Sequence, residues 1–169
     1  MDRFTHTLRT LVIGYGNLDR GDDGVAFDVV NLLRRQLGVK PLDADETGLD
    51  DRGGETGAVF VRQLVPELAL DVGGCERLVF VDAHVAAEPR AIVCVAVRPE
   101  ARLSSTLSHT LPVEGFLWLV QAVTGRAPEP SILRIIDDNI TIVPAPELWG
   151  RRSSWSQVLR RMRRGGTSK

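Results

Sequence analysis

Cysteine is scarce: Cys75 and Cys94 are the only two in 169 residues. They are far apart and form no C-x-x-C, so they are expected as reduced, buried thiols rather than as a redox or metal-binding pair. Net charge is nearly absent too. A formal balance of −1 gives no reason to expect a nucleic-acid or membrane partner. No apolar run is long enough to cross a bilayer, and "MDRFTHTLRT" has no apolar core of signal-peptide length. A cytoplasmic protein is the expectation. The sequence also lacks a G-x-S-x-G, and with it the signature of a nucleophilic serine.

What is present is ordinary for a soluble globular chain: 43% hydrophobic and 25% charged residues, long enough for one domain over 1–169 with a substantial core. Residues 1–9 and 165–169 are expected to be disordered ends. The tail "RRSSWSQVLRRMRRGGTSK" is basic and has no acid, which reads as the solvated face of a last helix, with docking as the alternative.

Apolar runs alternate with amphipathic ones. "TLRTLVIGYG" suits a buried strand at Leu11 to Gly14. "VAFDVVNLLRRQL" puts Val25, Val29, Leu32 and Leu33 on one helical stripe, with Asp28, Arg34 and Arg35 opposite. "GVKPLDADETGLDDRGGETG", residues 38–57, is acidic and without periodicity, and is expected to be a long, mobile loop. "AVFVRQL" reads as a strand, and "VPELALDV" as a short helix with Pro66 near its first turn. "RLVFVDA" and "AIVCVAV" read as strands. "LPVEGFLWLVQAVTG" reads as a helix burying Phe116, Leu117, Val120 and Val123 and stopped by Gly125. "SILRIID" and "NITIVPA" give one or two more strands, and "SSWSQVLRRM" a closing helix. This order implies an α/β fold: a three-layer sandwich with a mostly parallel, twisted sheet of about five strands and helices on both faces.

In such sheets ligands sit beyond the carboxyl ends of the strands. That rule selects Asp23 past the first strand, Asp82 ending the third, and His109 in "STLSHTLP" before a helix. The stretch "GYGNLDRGDDGV" invites a dinucleotide reading, but the third glycine position of G-x-G-x-x-G is held by Asp19. Asp22 and Asp23 occupy the helix start, where a carboxylate repels phosphate. Helix capping explains one of these two acids but neither the second nor Asp82. Two carboxylates and an imidazole make a mixed O,O,N site for a divalent first-row metal, and this chemistry does not separate nickel from zinc or iron. His84 is either a fourth ligand or a solvent-facing loop histidine, and Asp22 either a cap or a helper.

The stretch "LVIGYGNLDRGDDGVAFDVVNLL" resembles the opening strand, G-x-G-N loop and G-D-[DE]-G-V turn of the hydrogenase maturation proteases. "LVFVDA" and "SHTLPVEGFLWLVQAVTG" resemble that family's D-A strand and its histidine-bearing stretch with the following helix. The resemblance covers roughly residues 11–125. It implies an endopeptidase that removes the C-terminal extension of a nickel–iron hydrogenase large-subunit precursor, with Asp23, Asp82 and His109 as metal-binding and catalytic residues. It also implies that the nickel arrives with the precursor rather than as a permanent cofactor, and that the protein is monomeric. A non-catalytic assembly factor that reads the nickel site is the alternative. The family's D-G-G-T-x-G turn is replaced here by "RQLVPEL", the acidic loop looks like an insertion, and the C-terminal third lacks the usual G-x-x-P and L-S-P features. These departures leave the metal triad in place and the identity of the substrate open.

Overall fold

The computed structural model describes residues 10–19, 24–52, 54–83, 92–101, 111–126 and 129–135, of which 83, 92–96 and 129–135 are described by backbone path. Along the chain run β1 (Thr10–Tyr15), α1 (Gly24–Gln36), β2 (Thr56–Val61), α2 (Leu68–Val72), β3 (Arg77–Ala83), β4 (Ile92–Ala96), α3 (Val113–Thr124) and β5 (Glu129–Ile135). The strands lie in the order β2-β1-β3-β5-β4. β1 pairs in parallel with β2 and β3, and β3 with β5. β4 runs antiparallel to β5. This is the expected α/β class, built on a parallel sheet.

The middles of β1, β2 and β3 are apolar without alternation because both of their faces are covered. In β1, Leu11 and Ile13 join one buried cluster while Val12, between them, joins another. β3 divides in the same way: Leu78 and Phe80 enter the first cluster, Val79 and Val81 the second. The first cluster is completed by Leu68, Ala69 and Val72 of α2 and by Val113, Phe116, Leu117 and Val120 of α3. The second is completed by Ala26, Val29, Val30 and Leu33 of α1. Each fully buried Leu, Val or Phe contributes about 1.5–3 kcal/mol relative to exposure. Edge-on ring pairs add direction: Phe80 with Phe116 at 6.0 Å and Phe27 with Phe60 at 5.1 Å.

Several local expectations need correction. Arg34 does not lie on the solvent side of α1; it is 2% exposed, among the most buried side chains of the described protein. A buried guanidinium is tolerable only when its donors are met. Here Nε donates to the Lys40 carbonyl at 2.7 Å, and Nη1 donates to those of Asp51 and Ala58 at 2.9 and 2.7 Å. Nη2 lies 3.4 Å from the Asp51 carboxylate. The acidic loop is therefore not a free excursion. Asn31, also buried, closes a second pin: its Nδ2 donates to the Leu42 carbonyl at 3.0 Å, and its Oδ1 accepts the Leu42 N–H at 2.6 Å. Leu42 is then buried against α1. The Thr47 carbonyl accepts the Phe60 N–H at 2.9 Å, so the loop runs along the outer edge of β2. Gly48 makes the close pass possible. It adopts φ 77°, and a Cβ there would stand 2.6 Å from Arg34 Nη1.

β2 begins two residues earlier than expected and ends at Val61, because the chain dives at Leu64, which is fully buried. Pro66 lies near the first turn of α2, as expected, two residues before it, in a turn where Ala69 N–H donates to the Pro66 carbonyl at 3.1 Å. Val123 is 49% exposed, since α3 turns its last turn away from the core. Gly125 does stop α3: it adopts φ 70° and its N–H donates to the Gln121 carbonyl at 2.9 Å. Cys75 is buried as expected, and burial pushes its thiol up to about 11. The expected strand "NITIVPA", the closing helix "SSWSQVLRRM", both chain ends and the basic tail lie outside the described residues.

Candidate functional site at the carboxyl edge of the sheet

β1 is followed across α1 by β2 on one side, and β3 pairs on its other side. The strand order therefore reverses next to β1, and a crevice is expected outside the carboxyl ends of β1 and β3. Asp82 sits there, half-buried, one residue before the end of β3. Its register position faces Arg134 of β5. Of the three proposed ligands, Asp82 is the one the structure describes. Asp23 and His109 lie outside the described residues, as do Asp22 and His84.

Their chain neighbours bracket the same edge. Gly24, next to Asp23, opens α1. That helix's first turns pack where Phe27 meets Phe60 near the end of β2. Leu111, two residues after His109, donates its N–H to the Leu64 carbonyl at 3.1 Å, three residues past the end of β2. Phe116, in the first turn of α3, packs on Phe80 at the middle of β3. At the other end of that helix, Thr124 crowds Gly73, just before β3 begins. α3 thus runs antiparallel to β3, with its N-terminus at the carboxyl edge.

The turn that leaves β1 is built from polar contacts. Gly16 donates its N–H to the Val61 carbonyl at 3.2 Å. Asn17 Oδ1 accepts the Asp19 N–H at 3.0 Å, an Asx-turn. The Asp19 carboxylate lies 3.7 Å from Arg62, an exposed pair of little energetic weight. Among the described residues no group of three or more His, Cys, Asp and Glu side chains is placed to hold a metal ion. No described helix is long and apolar enough to cross a membrane.

A feature the sequence reading missed lies beside this edge. A cleft of about 400 Å³ runs between loop 44–49, the end of β2 and α2. Its signal was hidden because the loop wall depends on Arg34 and Asn31, which a helical wheel assigns by polarity rather than by contact. Glu46 on that wall is held below the usual carboxylate range, chiefly by the Asp43 backbone N–H and then by Lys40. Lys40 is correspondingly raised, with its ammonium 3.0 Å from Glu46.

No protein-family model matches the chain, and no curated protein matches it in sequence. Solved structures do. The hydrogenase maturating endopeptidase HybD from E. coli aligns over 94% of this chain and 94% of its own, at 22% identity and a TM-score of 0.50. The [NiFe] hydrogenase maturation protease HycI from Thermococcus kodakarensis KOD1 aligns over 79% of this chain and 76% of its own, at 17% identity and a TM-score of 0.48. The hydrogenase 2 maturation peptidase from a Thaumarchaeota archaeon aligns over 95% and 99%, at 21% identity and a TM-score of 0.45. The HybD alignment shows a shared fold along nearly the whole of both chains.

Proposed function

We propose that this chain is a hydrogenase maturation endopeptidase. In this reading it removes the C-terminal extension of a nickel–iron hydrogenase large-subunit precursor after nickel has been inserted. The observation that carries the reading is the fold shared with HybD over 94% of both chains, together with Asp82 at the carboxyl edge beside the strand-order reversal.

The metal belongs to the substrate. Asp23, Asp82 and His109 supply two carboxylates and an imidazole, a donor set suited to a partly coordinated divalent ion. A precursor without nickel offers them nothing to grip, so cutting is confined to loaded substrate. Two routes to peptide hydrolysis are open to this set. The substrate's metal can polarise the scissile carbonyl, or one carboxylate can act as general base on a water. The enzyme acts as a monomer in the cytoplasm.

The test uses nickel-loaded and nickel-free precursor, with shortening of the large subunit read by mass spectrometry. Asp23→Asn, Asp82→Asn and His109→Ala should each keep the wild-type circular dichroism spectrum and leave loaded precursor uncut. Normal processing by Asp82→Asn, or equal cleavage of nickel-free precursor, overturns the assignment. Stable capture of loaded precursor by the wild-type protein without any shortening would make the chain an assembly factor instead.

A further inference from the structure

On the face covered by α2 and α3, the sheet changes character at its last level. Leu11 of β1 stands beside Leu78 of β3, and Ile13 beside Phe80, all four buried in the first cluster. Carried two residues on, the same register brings Tyr15 beside Asp82. Val61 of β2 pairs with Tyr15 on its other side, and Asp82 pairs with Arg134 of β5. By register the last level therefore runs Val61, Tyr15, Asp82, Arg134. One level below, the same columns hold Val59, Ile13, Phe80 and Ile132, with no polar side chain among them.

Tyr15 is partly buried and packs against the first cluster, which puts its ring on the face that Asp82 shares by alternation from Phe80. Leu111, two residues after His109, packs on that cluster too. The segment that leads from His109 into α3 thus returns to the face of Tyr15 and Asp82.

A tyrosine is held by its apolar body and keeps a polar tip. Neighbouring strands lie about 4.8 Å apart, and their side chains stand roughly perpendicular to the sheet. A phenol is longer than an aspartate side chain. Rising beside Asp82, its hydroxyl comes level with whatever that carboxylate holds rather than with the carboxylate itself.

We propose that Tyr15 is a further catalytic residue of this site, donating a hydrogen bond from its hydroxyl to the scissile carbonyl oxygen of the precursor. The proposal rests on the endopeptidase reading. In either route to hydrolysis, water adds to the scissile carbon and the carbonyl π pair moves to its oxygen. That pair returns as the C–N bond breaks, and the water's proton ends on the leaving amine. The phenol keeps its own proton throughout and stabilises the oxygen while it carries the charge.

Tyr15→Phe keeps the ring and removes only the hydroxyl. Single-turnover cleavage of saturating, nickel-loaded precursor should slow by about a hundredfold, the cost of losing one such donor. Affinity for the precursor should stay within about twofold, because the bond strengthens only as charge develops. The urea midpoint should match wild type. A ring that merely packs would leave the phenylalanine variant as fast as wild type. Placement is read separately. Tyr15 is the only tyrosine in the chain, so protein made with 3-fluorotyrosine reports from that one site by fluorine NMR. The signal should move on Asp82→Asn and stay in place on Asp28→Asn, an exposed change on α1. A wild-type rate for Tyr15→Phe at saturation, or a fluorine signal indifferent to Asp82→Asn, overturns the proposal and leaves the endopeptidase reading intact. A loaded precursor that the wild-type protein never shortens removes both together.

Discussion

Replacing Arg34 by methionine keeps much of the side chain's apolar bulk and removes its five N–H donors. In the native structure those donors reach the carbonyls of Lys40, Asp51 and Ala58 at 2.7, 2.9 and 2.7 Å. A hydrogen bond from a charged group contributes about 1.5–3 kcal/mol, so three of them set a gross loss of roughly 5–9 kcal/mol. Two effects offset that loss. Methionine removes the penalty of several kcal/mol for holding a guanidinium out of water. The Lys40 and Asp51 carbonyls also belong to a surface segment that can turn to solvent once released. The net expectation is a loss of about 3 kcal/mol, at the low end for breaking a buried charged network.

Most of that loss should appear as local opening of residues 39–52 rather than as global unfolding. About 3 kcal/mol corresponds to roughly a hundredfold rise in the open population. The Phe60 amide is the reporter, because its N–H is bonded to the Thr47 carbonyl of the loop. Its hydrogen exchange should accelerate about a hundredfold, while the amides of β1, flanked by strands on both sides, keep their protection. Arg34→Lys offers a point charge to three separated carbonyls and should fall between the two proteins. A methionine variant with the wild-type urea midpoint and unchanged Phe60 exchange would refute this account of the loop.

Two further outcomes follow from the same packing and from the buried thiol. Gly48→Ala should destabilise by about 2 kcal/mol or more, and Gly38→Ala by about 1 kcal/mol, in urea unfolding. Both sit at positive φ, but a Cβ at Gly48 meets Arg34 Nη1 at 2.6 Å, while one at Gly38 meets open space. Equal losses would contradict the close pass. Burial raises the Cys75 thiol from 9.0 to about 11, with Arg52 opposing slightly. The native state therefore holds this proton more tightly than the unfolded chain. Its contribution is complete below about pH 9 and is lost as pH rises towards about 11. Cys75→Ala should flatten that part of the stability profile. Iodoacetamide at pH 8 should label Cys75 only after urea is added, as peptide mass mapping would show.

The parts of the fold legible in the sequence are those whose residues repeat. β1 and β3 could be read because Leu11, Val12 and Ile13, like Leu78, Val79 and Phe80, are apolar without alternation, as strands covered on both faces must be. α3 could be read because Gly125 supplies the left-handed stop at its end. Arg34 and Asn31 could not, because hydrophobic periodicity assigns polar residues to solvent. The available signal lay elsewhere: the backbone of residues 37–55, between α1 and β2, carries carbonyls and N–H groups that need partners when packed. Arg34 follows Val30 by one helical turn, on the face that approaches them. The place of Asp82 at the end of β3 was legible because the strand stays apolar up to Val81. Whether Asp23 and His109 converge on it is set by how two loops return to the sheet edge, and no local pattern encodes that.

Gly14 and Gly16 of "GYGNLDRGDDGV" have a reason that owes nothing to phosphate. Gly14 lies inside β1, and a Cβ there would stand 2.7 Å from Val30 Cγ2 and 2.9 Å from the Ala26 carbonyl. Its absence of a side chain lets α1 settle onto the sheet, burying Ala26 and Val30 completely. Gly16 takes φ 151° as the chain leaves the strand, and the Asx-turn at Asn17 then sets the direction. A nucleotide loop spends its backbone N–H groups on the ligand. Here the Gly16 N–H is bonded to Val61 and the Asp19 N–H to Asn17, and the Asp19 carboxylate is directed at Arg62. With these two amides committed internally and the Asp19 carboxylate beside them, the described part of this turn offers little to an anion.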